Sequence, residues 1–250
     1  MNKKESEVNG MVYVMSDIHS QEDLLYKMLD KINLSDEDTL VIAGDVIDRA
    51  NKSKGQNGVK LLQEVLEMPN VVMLCGNHEQ MLLDRIGYSY GDDTQIMQEF
   101  LELPLDEQEQ LEEDIRRLPL FYVYNKYIIC HGGIDATISG FVPKGDLDAF
   151  LEGQDEEFVL WARNEYYLYP ALKGFTVVSG HTPVPFLYEQ HEELGIDNPF
   201  KIWFDKQYKD KIIVDCGATF YGVLGCLCLD TMEEFYVYND ECKIPEKYRE

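Results

Sequence analysis

The string Gly44-Asp45-Val46-Ile47-Asp48-Arg49 places two carboxylates and a guanidinium within five residues. Such charge does not suit a core, where unpaired ions lose their hydration. It suits a site that holds a cation and a phosphate together, carboxylate oxygens for one and a guanidinium fork for the other. Charged loops are common, so the string gains meaning only from partners elsewhere. Four further strings supply them: Ser16-Asp17-Ile18-His19-Ser20, Gly76-Asn77-His78-Glu79, His131-Gly132-Gly133 and Gly180-His181-Thr182-Pro183. Four of the five histidines fall inside these strings, and His191 alone lies elsewhere, in a Glu-rich stretch expected on the surface. Asp17, His19, Asp45, Asn77, His131 and His181 together offer oxygen and nitrogen ligands without thiolate. That set suits manganese, iron or zinc better than a structural zinc site, which usually uses cysteine.

The elements around the strings decide whether they can meet. Each string follows an apolar run that reads as a strand: residues 11–15, 40–43, 71–75, 127–130 and 176–179. Residues 22–32 and 59–68 have helical spacing, and a further helix is expected over 80–86. In layered α/β folds ligands bind at the carboxyl ends of strands, where separate loops converge. Five polar strings after five strands therefore predict one site. Residues 121–124 pair with 127–130 through a turn at Asn125-Lys126, and later strands are expected over 211–215, 224–229 and 234–238. Residues 92–118 read as an acidic helical insert broken at Pro104, too short to bury a core of its own. The expectation is one α/β domain over 11–240, with polar termini at 1–10 and 241–250.

Composition removes some partners. The chain has 22 basic and 47 acidic side chains, a net charge of −25. That surface repels polyanions, so nucleic acid and anionic membrane are not expected partners. A phosphorylated substrate remains compatible, because bound divalent cations would dominate the local field. No apolar run approaches the ~20 residues of a membrane span, and residues 1–10 lack the apolar segment of a signal peptide. The six cysteines show no regular spacing and read as free thiols of a reducing cytoplasm. Oligomeric state is left open.

In their order, the five strings resemble the signatures of the PPP-family metallophosphatases, the dinuclear-metal serine/threonine protein phosphatases of the calcineurin-like superfamily. Gly-Asn-His-Glu-Gln-Met-Leu-Leu-Asp, Lys-Tyr-Ile-Ile-Cys-His and Val-Asp-Cys-Gly-Ala-Thr-Phe are similar to segments of the bacterial and phage branch. The likeness spans residues 12–229. It implies a calcineurin-like fold of two packed mixed β-sheets flanked by helices. It also implies two divalent metal ions, manganese first, with iron and zinc as alternatives. Asp17, His19 and Asp45 would hold one ion, and Asp45 would bridge to a second held by Asn77, His131 and His181. Arg49 and Arg163 would bind phosphate, the latter carried by Trp161-Ala162-Arg163. His78 would protonate the leaving alkoxide with Asp48 orienting its ring. The implied reaction is in-line attack on a phosphomonoester by a hydroxide bridging the metals, without a phosphoenzyme. The implied substrate is phosphoserine or phosphothreonine in protein, with phosphotyrosine or a small phosphoester also admitted.

Two alternatives stay open: a symmetric dinucleoside tetraphosphate hydrolase, and an inactive metal-binding signalling module, which would have no need of His78. Other phosphatase chemistries fail on the residues. No cysteine has an arginine six positions on, and Asp36-Glu37-Asp38-Thr39 precedes a strand instead of ending one. Pro183 stands where phosphodiesterase relatives end Gly-His-x-His, favouring monoester hydrolysis. The chain also departs from the family: Ser20 and Ala50 replace glycines, Cys75 replaces an arginine, and Phe220 falls near an active-site tyrosine of eukaryotic members. If Ser20 or Ala50 needs positive φ, its Cβ costs on the order of 1 kcal/mol.

Overall fold

The computed structural model describes residues 10–88, 94–140 and 145–248. Residues 92 and 93 of the expected insert, and residues 1–9, 249 and 250 of the expected termini, lie outside that range. The strands are β1 (Val12–Met15), β2 (Thr39–Ile42), β3 (Val71–Met73), β4 (Tyr122–Tyr124), β5 (Tyr127–Ile129), β6 (Thr176–Ser179), β7 (Trp203–Phe204), β8 (Lys211–Ile213), β9 (Val223–Cys228) and β10 (Glu234–Tyr238). They form two five-stranded mixed sheets, ordered β10-β9-β1-β2-β3 and β4-β5-β6-β8-β7. In the first, β1, β2 and β3 are parallel, and β9 and β10 are antiparallel additions at one edge. In the second, β5, β6 and β8 are parallel, with antiparallel β4 and β7 outside them.

Alternation along the strands sets the layers. Tyr13 and Met15 of β1, with Leu40 and Ile42 of β2, face helices, while Val12, Val14 and Val41 face the other sheet. Period-two side chains buried on both faces explain why these strands read as continuous apolar runs. The helices over the first sheet are α1 (Glu22–Ile32), α2 (Gly58–Glu67), α3 (Asn77–Tyr88), α4 (Gln95–Leu101) and α5 (Leu105–Arg116). Leu24, Leu25, Met28 and Ile32 form the buried stripe of α1, which ends where Asn33 turns left-handed at φ 48°. Over the second sheet lie α6 (Leu147–Glu152), α7 (Glu156–Trp161), α8 (Asn164–Tyr167) and α9 (Val184–Gln190), packed through Phe150, Val159, Leu160 and Leu187. The result is helix, sheet, sheet, helix.

Several expectations shift. Strand ends move by one or two residues, and β7 and α6–α9 emerge from stretches without clear periodicity. The third helix begins at Asn77, not after Glu79, so Asn77 and His78 stand in its first turn. The cause is capping: Asp45 Oδ1 accepts His78 N–H at 3.0 Å, and Glu79 reaches back to Gly76 N–H at 3.0 Å. The insert becomes α4 and α5. Ile96, Met97, Phe100, Leu111 and Ile115 join the same core as β1 and β2. His191 is buried, with Nε2 3.0 Å from Asn164 Oδ1, instead of lying on the surface.

Candidate active site

All five strings leave the carboxyl ends of parallel strands, three from the first sheet and two from the second. Backbone bonds zip the first two loops: Asp17 N–H to Gly44 O (3.1 Å), His19 N–H to Asp45 O (3.0 Å) and Ser20 N–H to Val46 O (2.8 Å). Asp17, His19, Ser20, Asp45, Asp48, Arg49 and His181 make seven of the eleven non-glycine residues at positive φ among the described residues. Each such residue costs on the order of 1 kcal/mol or more, and their concentration at one place marks a functional site. Ser20, at φ 61°, pays the penalty its departure from glycine raised; Ala50 is not left-handed. The loops also approach closely. A Cβ on Gly44 would stand 2.5 Å from Gly76 Cα and 2.9 Å from His131 Nδ1, so only glycine fits.

Asp17, His19, Asp45, Asn77, His131 and His181 come together, all between 0 and 7 % exposed. His131 donates Nδ1–H to Ala43 O (2.8 Å), so Nε2 is the nitrogen turned into the site. That nitrogen faces Asn77 Oδ1 at 2.8 Å, His181 Nδ1 at 3.1 Å and Asp45 Oδ2 at 3.5 Å. His181 Nδ1 is also 2.9 Å from Asn77 Oδ1. Burial first, then the neighbouring His131 and Arg163, pushes the His181 ring down to about 2, so it is neutral and brings at most one proton. Asn77 Oδ1, Asp45 Oδ2 and two imidazole nitrogens thus converge on one buried point. His19 repeats the pattern: Nδ1–H donates to Ile47 O at 3.0 Å, leaving Nε2 3.6 Å from Asp45 Oδ2 and 3.8 Å from Asp17 Oδ1. Burial holds His19 well below the usual imidazole range, so its ring is neutral. Burial, together with Glu79 and Asp17, forces the Asp45 carboxyl well up, with His78 opposing. A cation on either side of Asp45 would favour the ionised carboxylate that burial disfavours and would be met by the facing imidazole nitrogens. Carboxylate, imidazole and amide oxygen are the donors divalent ions take.

Among the described residues, two groups of His, Cys, Asp or Glu side chains have ligand atoms all within 4.8 Å of one another, His19-Asp45-His78 and Asp45-His131-His181. Asp45 belongs to both. His78 is otherwise engaged, its Nδ1 2.8 Å from Asp48 Oδ2 and its Nε2 3.3 Å from Arg49 Nη2. Burial alone would depress His78, but the Asp48 hydrogen bond and the Asp45 charge raise it on balance. The same bond holds Asp48 down to about 2. Arg163 reaches the site edge, Nη1 donating to Thr182 Oγ1 at 2.9 Å beside His181.

Sequence reasoning missed Glu79. Wholly buried, it accepts N–H from Asp45 (2.8 Å), Gly76 (3.0 Å), Val46 (2.9 Å) and Ile47 (3.3 Å). One carboxylate thereby ties the second loop to the third. A glutamate three residues after a glycine at a helix start was the available signal. Trp161 was also missed. Its ring stands edge-on to His181 at 5.8 Å.

Comparison with known proteins agrees with this geometry. Residues 10–223 match the family model of calcineurin-like phosphoesterases. Serine/threonine-protein phosphatase 2 of Salmonella typhimurium (strain LT2) is 26% identical over 206 residues, covering 77% of this chain and 88% of that protein. Among solved structures, a provisionally assigned diadenosine tetraphosphatase has a TM-score of 0.66 at 20% identity, covering 94% of this chain and 96% of its own. A protein serine/threonine phosphatase from Saccharomyces cerevisiae, similar to human phosphatase PP5, has a TM-score of 0.53 at 15% identity, covering 98% and 84%. The chain belongs to the calcineurin-like phosphoesterases, a family that uses divalent metals, and is a phosphatase of that family.

Proposed function

We propose that the chain is a phosphomonoesterase acting on phosphoserine and phosphothreonine in proteins, and on phosphotyrosine as well. Asp17, His19 and Asp45 would hold one divalent ion and Asp45, Asn77, His131 and His181 the other. Manganese is the first choice, with iron and zinc as alternatives. When bound, such a pair supplies an activated water and positive charge against the phosphoryl oxygens. Arg49, beside His78, and Arg163, beside Thr182, bind the outer phosphate oxygens with their guanidinium forks. His78 Nε2 gives its proton to the leaving alkoxide. Asp48, 2.8 Å from Nδ1, fixes the ring orientation and favours its protonated form. The observation that carries the reading is Asp45: one buried carboxyl bordered on two sides by the Nε2 atoms of His19 and His131.

The net charge of −25 argues against nucleic acid and anionic membrane as partners. No helix among the described residues is long and apolar enough to cross a membrane. Free cysteines are consistent with a cytoplasmic place, since none of the six is paired.

A second reading is a symmetric dinucleoside tetraphosphate hydrolase. The fold similarity to the provisionally assigned diadenosine tetraphosphatase favours testing it. A manganese-supplemented panel separates the two: p-nitrophenyl phosphate, phosphoserine, phosphothreonine and phosphotyrosine peptides, and diadenosine tetraphosphate. Preferential turnover of the phosphopeptides is expected. Turnover of the dinucleotide alone would favour the second reading, and inertness toward the whole panel would leave a metal-binding module.

A further inference from the structure

Arg49 is an exposed side chain with a charge to place, and it makes no ion pair among the described residues. Its guanidinium meets His78 Nε2 at 3.3 Å and, on its other side, the ring of Phe220, with Cζ 4.9 Å from the ring centroid. A cation over an aromatic face is attracted by the ring quadrupole, and the flat guanidinium suits that face well.

Phe220 is held there by a dedicated local structure. It lies in the one-turn helix α10 (Ala218–Tyr221), bracketed by Gly217 at φ 84° and Gly222 at φ 73°. A side chain at Gly217 would press on Tyr221, its Cβ only 2.7 Å from Cδ2. The ring of Phe186 props Phe220 at 5.1 Å. Yet Phe220 stays 36% exposed. A large, partly exposed ring braced by another aromatic and met by Arg49 is a platform.

We infer that Phe220 is a positioning residue for Arg49: its ring carries the guanidinium in the orientation from which the fork reaches the phosphate. Phe220 therefore governs phosphate affinity and KM and leaves the chemical step to other groups. The inference rests on the phosphate-binding role proposed for Arg49.

The test uses the full-length, manganese-loaded protein. Steady-state kinetics on p-nitrophenyl phosphate are paired with competitive inhibition by inorganic phosphate, a probe without a ring of its own. Phe220→Leu and the equally bulky, ring-free Phe220→Met should raise KM and the phosphate inhibition constant two- to fivefold, the equivalent of about 0.4–1 kcal/mol. Their kcat should stay within about twofold. Phe220→Trp, which restores a face, should return both constants to the starting values. In an Arg49→Ala background Phe220→Leu should add nothing further. The inference is overturned if both ring-free variants bind phosphate normally, if tryptophan does not rescue, or if Phe220→Leu has its full effect without Arg49. Arg49→Ala with unchanged KM and phosphate inhibition would instead remove the role of Arg49 itself, and the inference with it.

Discussion

Replacing Glu79 by glutamine changes one atom type at the point where two catalytic loops are joined. Oε2 accepts the N–H groups of Asp45 and Gly76, and Oε1 those of Val46 and Ile47, all in a fully buried place. An amide keeps one acceptor end. Its NH2 end must face two backbone donors, which are left orphaned. Each buried unsatisfied donor costs about 1–3 kcal/mol, so the variant should lose about 2–6 kcal/mol. Against a typical total of about 5–15 kcal/mol this is a large fraction. The assay is urea unfolding of metal-free wild-type and variant protein, extrapolated to water, so that bound metal does not mask the difference. Manganese binding by calorimetry follows the second consequence, because Asp45 loses the anchor of its own N–H. A Glu79→Gln protein within about 0.5 kcal/mol of wild type and with unchanged manganese affinity would refute the reasoning.

Four further outcomes can be checked. His78→Asn should lower kcat on an alkyl phosphate by about 10²–10⁴ while sparing p-nitrophenyl phosphate, whose leaving group needs no proton; equal loss on both would contradict the acid role. Asp48→Asn removes a carboxylate that favours protonated His78. The His78 pKa must then fall, so the alkaline limb of the alkyl-phosphate rate profile should move to lower pH, and an unmoved limb would count against the pair. Ser20→Gly relieves a left-handed Cβ but loses the 2.9 Å bond from Ser20 Oγ to Asp48 O, so thermal denaturation should show a net change under about 1 kcal/mol. Ala50→Gly, with no such strain to relieve, should only destabilise, by about 0.5–1 kcal/mol.

What could be read in the residues, and what could not, follows from the range of the interactions involved. The strands before Ser16, Gly44, Gly76, His131 and Gly180 were legible because doubly buried strands are apolar at every position. The convergence of Asp17, Asp45, Asn77, His131 and His181 followed from those strand ends. The start of α3 was not legible. It depends on Asp45, more than thirty positions away, accepting the N–H of His78. Glu79 looked like a motif letter because its partners are backbone N–H groups, which carry no sequence signature. The Arg163 contact was hidden for the same kind of reason. Its partner, Thr182, lies nineteen positions further along the chain. The short strand β7, two residues long, has too few positions to show a period. Ser20 and Ala50 made a single question of backbone geometry, and only coordinates could answer it differently for each.

The most direct test is electron paramagnetic resonance of the metal-free protein titrated with manganese, run beside Asp45→Asn. Two equivalents forming an exchange-coupled pair, lost in the variant, are the expected result, because a shared carboxylate holds such ions about 3.5–4 Å apart. A signal from one isolated ion at saturation, or a coupled pair that survives Asp45→Asn, would contradict the bridging site.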